Sequence, residues 1–382
     1  MRAQEHGNTW WRSRRAALIA LAETGTPRYV YDMGAVETAI AELKDLSALD
    51  RLFYAVKANP HPQVLRTLHA AGLGFETVSP GELARVRSLF PDLSKDRLLF
   101  TPNFAPRSEY AEAFASGVTV TLDNLHPLRE WPETLRGREI FLRVDTALEA
   151  GHHSHVRTAG EASKFGIPLP ELDEAQVLAA GLGARITGLH AHVGSGILDP
   201  DVWSETAAEL AELSESFPDL KVLDLGGGLG IPDRQGGASL DLARLNRGLK
   251  AVKRAYPGLE LWLEPGRYLV ARAGVLLTQV TQLKGKGGLR YLGVDVGMNS
   301  LIRPALYGAH HEIVNLTRLG ETATAQYTVV GPICESGDVL GSERQLPESR
   351  EGDVMLIADA GAYGHAMSSR YNLREPAPEI LL

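Results

Sequence analysis

Lys57 closes a short apolar run, Leu52 to Val56, and Asn59-Pro60 breaks the chain directly after it. A lysine at the C-terminal tip of a buried strand has an apolar stem beneath it and a cleft above it, where desolvation favours the uncharged amine. Such an amine can form a Schiff base with a carbonyl compound. The alternative for the same residue is a solvated lysine closing an edge strand. Further on, His190 and His192 are spaced by two, which on a strand places both on one face. Gly226-Gly227-Gly228-Leu229-Gly230 leaves backbone N–H groups able to face a phosphate, and a following helix would add its N-terminal dipole. No Gly-Lys-Ser/Thr follows, and the spacing is not that of a dinucleotide fingerprint. Glu76 and Glu264 add carboxylates, and Arg267 a guanidinium. The His-x-His pair, with His152, His153 and His155, permits a zinc reading. It supplies no matching His/Asp set at other strand ends and leaves Lys57 idle, so no metal is expected.

These residues need elements to gather them. Between about residues 30 and 270, eight apolar runs alternate with helical patterns: Leu52–Val56, Gly74–Val78, Leu98–Thr101, Val118–Leu122, Ile140–Val144, Ile186–Val193, Val222–Leu225 and Leu261–Leu263. Segments such as Pro62–Ala71 and Pro80–Leu89 are long enough for the intervening helices. The pattern predicts an α/β fold, a (β/α)8 TIM-like barrel. An open doubly wound sheet is the competing architecture, because a strand count does not establish closure. Barrels of this kind place their chemistry at the C-terminal ends of the strands. Lys57, His190 and His192, the glycine run and Glu264 all follow or close strands, so they share one rim. After Arg267 the style changes to strand-like segments with Gly-rich turns: Val275–Leu283, Leu289–Val294, Glu312–Thr317, Tyr327–Val330 and Val354–Ala358. They predict a C-terminal antiparallel β-domain over 271–382, with roughly 1–29 added to it and Tyr29-Val30-Tyr31 as an extra strand.

The formal charge of −8, from 47 acidic and 39 basic residues, argues against a nucleic-acid partner. A single cysteine, Cys334, excludes an intrachain disulfide and fits a reducing cytoplasm. No apolar run is long enough to span a membrane. The Ala-rich stretch after Arg15 is followed by Glu23-Thr24 and reads as an amphipathic helix rather than a signal peptide.

Seven ordered segments carry a resemblance. YAVKAN at 54–59, SKFGI at 163–167, HAHVGSG at 190–196, LDLGGGLG at 223–230 and EPGRYLV at 264–270 resemble the alanine-racemase-like, pyridoxal-phosphate-dependent decarboxylases. GPICESGD at 331–338 and DAGAYGHAMSSRYN at 359–372 narrow it to members that convert meso-diaminopimelate to L-lysine and carbon dioxide. The resemblance runs from about residue 27 to the C-terminus. It implies pyridoxal 5'-phosphate carried on Lys57, with His192 against its ring, Ser195 helping to position it, and Gly226, Gly227 and Gly228 donating to its phosphate. It implies Glu264 at the ring nitrogen, and Gly266, Arg267 and Tyr371 as further cofactor contacts. Arg267, Arg303, Tyr307, Glu335 and Tyr371 match the family's substrate-binding set, with the arginines suited to a distal carboxylate and Glu335 to a distal ammonium. Cys334 is implied as the acid that protonates the carbanion, reaching in from the partner of a homodimer with shared active sites; Tyr363 is a further lining residue. Where the family often reads His-x-Gly-Ser-Gln, this chain has His192-Val193-Gly194-Ser195-Gly196. The alternatives within the resemblance are a decarboxylase of ornithine, carboxynorspermidine or a carrier-bound amino acid, and a non-enzymatic carrier of the same cofactor.

Overall fold

The computed structural model describes residues 10–146, 163–232, 234 and 236–382. His152, His153 and His155 lie outside the described residues. The chain divides into two compact units, one of Ile40–Ile231 with Ala238–Gly266, the other of the described residues up to Ala39 with Pro232–Gly237 and Arg267–Leu382.

In chain order the strands are β1 (Arg28–Tyr31), β2 (Arg51–Ala55), β3 (Gly74–Thr77), β4 (Leu98–Phe100), β5 (Thr119–Leu122), β6 (Glu139–Asp145), β7 (Ile167–Pro168), β8 (Arg185–His190) and β9 (Val222–Asp224). They continue with β10 (Glu260–Leu263), β11 (Gly274–Lys286), β12 (Leu289–Val294), β13 (Ile313–Asn315), β14 (Ala325–Val330), β15 (Val339–Leu346), β16 (Val354–Ile357) and β17 (Glu379–Leu381).

In the first unit all pairings are parallel, in the order β5-β4-β3-β2-β10-β9-β8-β6, and β5 pairs β6 to close the barrel; β7 adds to β6. Closure disposes of the open-sheet alternative. Helices follow the strands where the sequence supplies caps. After β3, the Ser79 hydroxyl accepts from the Glu82 N–H at 3.3 Å, and the Glu82 carboxylate accepts from the Val78 N–H at 2.9 Å. That arrangement starts the helix Pro80–Leu89 cleanly and fixes the end of β3. Inside the barrel, Phe53, Leu99, Phe141, Val222 and Trp262 from five strands form one buried cluster. The rings of Phe53 and Phe141 lie 4.9 and 5.5 Å from that of Trp262. Burying each such ring stabilises the fold by roughly 2–3 kcal/mol. The plug fills the barrel toward the strand starts and leaves a cavity at the strand ends.

The second unit is an eight-stranded sheet, mostly antiparallel, with β12–β14 and β1–β17 paired in parallel. Its strands alternate with period two between two cores. Leu276, Met355 and Ile357 join Tyr29, Tyr31 and Tyr327 on one face. Leu277, Val354 and Leu356 meet Trp11, Leu18 and Ala22 on the other. The amphipathic segment therefore docks as two helices, Trp10–Ser13 and Arg15–Glu23, and Arg15 Nε donates to the Leu316 carbonyl at 2.9 Å. The strand β15 had no clear signature in the sequence. Ser342-Glu343-Arg344-Gln345 is polar, and Glu343 takes a positive φ of 54°, so the alternation that marks a strand is lost.

Candidate active site

Lys57 does not end its strand. β2 stops at Ala55, and Val56–Ala58 form a 3-10 turn that lifts the lysine above the strand end. There Nζ donates to both oxygens of Glu76, at 3.1 and 2.9 Å. The lysine side chain is 40% exposed, whereas that of Glu76 is 1% exposed. Lys57 is thus half-exposed rather than desolvated, and its amine is paired with the buried Glu76, because the turn opens it toward the cavity. Burial pushes the Glu76 carboxyl up from 4.5 to about 7, against the pull of Lys57.

That shift carries a sign. In the cofactor-free protein Glu76 keeps its proton to about 7 when folded, while the unfolded chain ionises near 4.5. The folded state therefore binds more protons between those values, and stability falls as pH rises through them, by on the order of 2–3 kcal/mol. Glu76→Gln is expected to remove most of this slope, which urea unfolding at pH about 5 and about 7.5 measures. Equal slopes in the two proteins would refute the assignment.

The cavity holds about 340 Å³, a size suited to a small ligand. Lys57, Glu76, Arg143, His190, His192 and Glu264 line it, with Thr101, Asn103, Lys164 and Phe165 at its other side. His190 ends β8, and its Nε2 lies 3.3 Å from Glu264 Oε2. Burial lowers the pKa of His190, so the ring is neutral and donates Nε2–H to the carboxylate. Burial opposes the ionisation of Glu264, but the hydrogen bond from His190 and the nearby Lys57 outweigh it and hold the carboxyl below its usual range. Glu264 Oε1 is buried and is not the oxygen that meets His190. The carboxyl of Asp224, at the end of β9, is pushed well up by burial and then by Glu264, with which it shares a side-chain hydrogen bond. His190, Asp224 and Glu264 bring one ligand atom each within 4.8 Å of one another.

His192 lies beyond β8, in the loop after it, so strand alternation does not align it with His190 as expected; both nevertheless line the cavity. Its Nδ1 accepts the Gly227 N–H at 3.1 Å, and burial keeps the ring neutral, so the proton sits on Nε2. The glycine turn is packed tightly. A Cβ on Gly226, Gly227 or Gly228 would lie 2.6, 2.4 or 2.4 Å from the carbonyl oxygens of Ala191, Glu264 and Gly194. Gly226 N–H donates to Asp224 Oδ1 at 3.0 Å, so two of the three donors expected to face a phosphate are engaged within the protein. Ser195 stands in the 191–197 loop that pairs with this turn through Ile197 and Leu229, and Gly266 is buried just beyond β10.

Three residues of this site escaped the sequence reading or were left without a role there: Glu76, Arg143 and Asp224. Each is a charged residue in or ending an otherwise apolar strand run, which is the signal that marks them. Arg143 lies 3.5 Å from Asp123 and 4.3 Å from the Phe165 ring centroid, a fixed cation in the cavity wall.

The second unit carries the remaining candidates. Arg267 lies 5.0 Å from the ring centroid of Tyr363. Arg303 opens the short helix Arg303–Tyr307, and its Nη1 lies 3.0 Å from His311 Nε2. Cys334 and Glu335 are exposed on a turn that the buried Asp338 holds, its carboxylate accepting the Ile333 and Met298 N–H groups at 2.7 and 2.6 Å. The Cys334 N–H donates to Asn372 Oδ1 at 2.7 Å, which ties this turn to the one bearing Tyr371.

A family described as pyridoxal-dependent decarboxylase, pyridoxal binding domain, matches residues 33–271. The chain belongs to the pyridoxal-dependent decarboxylases. Diaminopimelate decarboxylase of Methanothermobacter thermautotrophicus is 38% identical over 94% of this chain and 87% of its own. That of Deinococcus radiodurans is 36% identical over 97% and 93%. The crystal structure of diaminopimelate decarboxylase from Helicobacter pylori complexed with L-lysine superposes with a TM-score of 0.88 at 29% identity, over 96% of this chain and 94% of that one. A lysine/ornithine decarboxylase from Vibrio vulnificus shares the fold at 23% identity and a TM-score of 0.83.

Proposed function

We infer that this chain is a decarboxylase that converts meso-2,6-diaminopimelate to L-lysine and carbon dioxide, the last step of lysine biosynthesis, with pyridoxal 5'-phosphate held in the barrel cavity. The observation that carries the cofactor reading is the buried Glu264, held ionised, in the same cavity as Lys57. A buried carboxylate of that kind fits the protonated nitrogen of a pyridine ring. When bound, the cofactor supplies a cationic ring that takes up the electron pair freed as the bond to the carboxylate breaks.

The protein's own groups do the rest. Glu76, poised near neutral pH, takes the proton of Lys57 Nζ and leaves a nucleophilic amine. His190 fixes Glu264, and the Gly227 N–H orients the imidazole of His192, which would hold one face of the cofactor ring. Gly226, Gly227 and Gly228 would donate to the phosphate and Ser195 would help position the cofactor; binding through Gly226 and Gly227 requires their present bonds to yield. Gly266, Arg267 and Tyr371 complete the cofactor contacts in this reading. Arg267 and Arg303, with Tyr307 and Tyr371, hold the distal carboxylate, and Glu335 the distal ammonium. Cys334 returns a proton to the carbon that lost its carboxylate.

The exposed Cys334-Glu335 turn and Leu373, 95% exposed beside Tyr371, support completion of each site by a second copy of the chain in a homodimer. Among the described residues no helix is long and apolar enough to cross a membrane. An exposed lone thiol fits action in the cytoplasm.

The substrate assignment is tested at Arg303. Arg303→Ala is expected to lower kcat/KM for meso-diaminopimelate by about 10²-fold, because a buried charge-assisted pair with the carboxylate is lost. Activity on ornithine, which lacks a second carboxylate, should not fall with it. An unchanged preference for diaminopimelate would defeat the assignment.

A further inference from the structure

We propose that His311 is a positioning residue: its neutral imidazole fixes the guanidinium of Arg303 and so sets the preference for substrates bearing a distal carboxylate. The proposal rests on the reading of Arg303 given above. Arg303 and His311 are 7% and 1% exposed. His311 Nδ1 lies 2.9 Å from the carbonyl oxygen of Ala358, just past β16, and Nε2 lies 3.0 Å from Arg303 Nη1. The carbonyl can only accept, so Nδ1 carries the proton, and Nε2 accepts from the guanidinium. With both nitrogens used, the ring cannot turn without losing a buried hydrogen bond, and one edge of the guanidinium is pinned.

The chemistry of this partner matters. A carboxylate in the place of His311 would orient Arg303 equally well, but it would neutralise the arginine and compete with the substrate's carboxylate. An uncharged acceptor orients the guanidinium without itself neutralising it. Burial and the Arg303 charge push the pKa of His311 down to about 3, so the imidazole stays neutral through the working range. A histidine that merely filled the core would be satisfied by Ala358 alone. The left-handed Gly308, φ 61°, ends the Arg303–Tyr307 helix and turns the chain so that a residue only eight positions on faces its first side chain.

The experiment uses the holoenzyme with His311→Phe, His311→Gln and Arg303→Ala, singly, and His311→Phe combined with Arg303→Ala. Steady-state decarboxylation of meso-diaminopimelate is measured together with inhibition by L-lysine, which keeps the distal carboxylate, and by 1,5-diaminopentane, which does not. His311→Phe is expected to raise KM and the L-lysine inhibition constant by a common factor of roughly 10- to 100-fold, with kcat within about threefold. Inhibition by 1,5-diaminopentane and the visible absorbance of the cofactor should stay as they are. His311→Gln, whose amide oxygen can replace Nε2, should recover most of the loss, and the double variant should be no worse than Arg303→Ala. Equal weakening of both inhibitors, a fall in kcat at constant KM, or additive losses in the double variant would overturn the proposal. If Arg303→Ala raises KM and His311→Phe does not, this inference alone falls; if Arg303→Ala leaves KM unchanged, the reading of Arg303 falls first. Should His311→Phe not fold, His311→Asn, which keeps a donor for Ala358 but does not reach Arg303, decides the same comparison.

Discussion

Lys57→Ala yields a folded protein whose turnover is lower by on the order of 10³-fold or more and which no longer shows the visible absorbance of bound pyridoxal phosphate. The lysine stands on a 3-10 turn outside the barrel's ladder, so its removal breaks no strand pairing. The cost falls on Glu76, which loses the cation that partners it. A buried carboxylate stripped of its partner is destabilising by several kcal/mol if it stays charged. Glu76 avoids that penalty by protonating, since its pKa is already about 7 and loss of Lys57 moves it further up. The variant should therefore unfold in urea near the wild-type midpoint at pH about 6 and drop below the wild type only above neutrality. Carbon dioxide release and an absorbance spectrum check the chemical half of the prediction. Turnover near that of the wild type would remove Lys57 from the centre of the site.

Glu264→Gln is expected to retain cofactor binding while lowering kcat by about 10²- to 10³-fold, the loss found when one preorganised electrostatic contact is removed. Glutamine preserves the volume, and its amide oxygen can still accept from His190 Nε2–H. It does not preserve the negative charge that keeps a pyridine nitrogen protonated, so the electron sink is weakened without emptying the cavity. Single-turnover release of carbon dioxide at saturating substrate separates this from a binding defect. The substitution also relieves Asp224, whose carboxyl is held up by burial first and by Glu264 next. Asp224 should then ionise more readily and return part of the missing charge. Glu264→Gln combined with Asp224→Asn is accordingly expected to be slower than Glu264→Gln alone. A single variant with unchanged kcat would refute the role of Glu264.

The barrel was legible because its strands are apolar runs bounded by glycine and proline, and because every chemically useful motif followed such a run. Closure was not legible, since it depends on β5 meeting β6. Lys57, His192 and Glu264 were found by motif. Their supports were harder to see, because Glu76, Arg143 and Asp224 read as interruptions in or at the ends of strands until the fold shows their side chains meeting in one cavity. His311 was silent for a related reason. In His310-His311 nothing separates a core histidine from one that orients an arginine, and only the contact to Arg303 does so. The glycine run shows the opposite failure. Its composition suggested phosphate donors, whereas close approach to three carbonyl oxygens and two internal hydrogen bonds account for much of it.

The pairing of β1 with β17 joins segments about 350 residues apart. On the ribosome, β1 emerges long before β17 and must wait, its parallel neighbour unmade, until residues 379–381 have been synthesised. The barrel's strands, from Arg51 to Leu263, are complete long before that moment, so the order of synthesis favours a barrel that folds first and a sheet that closes last. Until β11 is made, Tyr29, Val30 and Tyr31 form an apolar edge with no sheet neighbour, and until β17 is made one side of β1 stays open, a period in which nascent chains are most exposed to chaperones and to mispairing with one another.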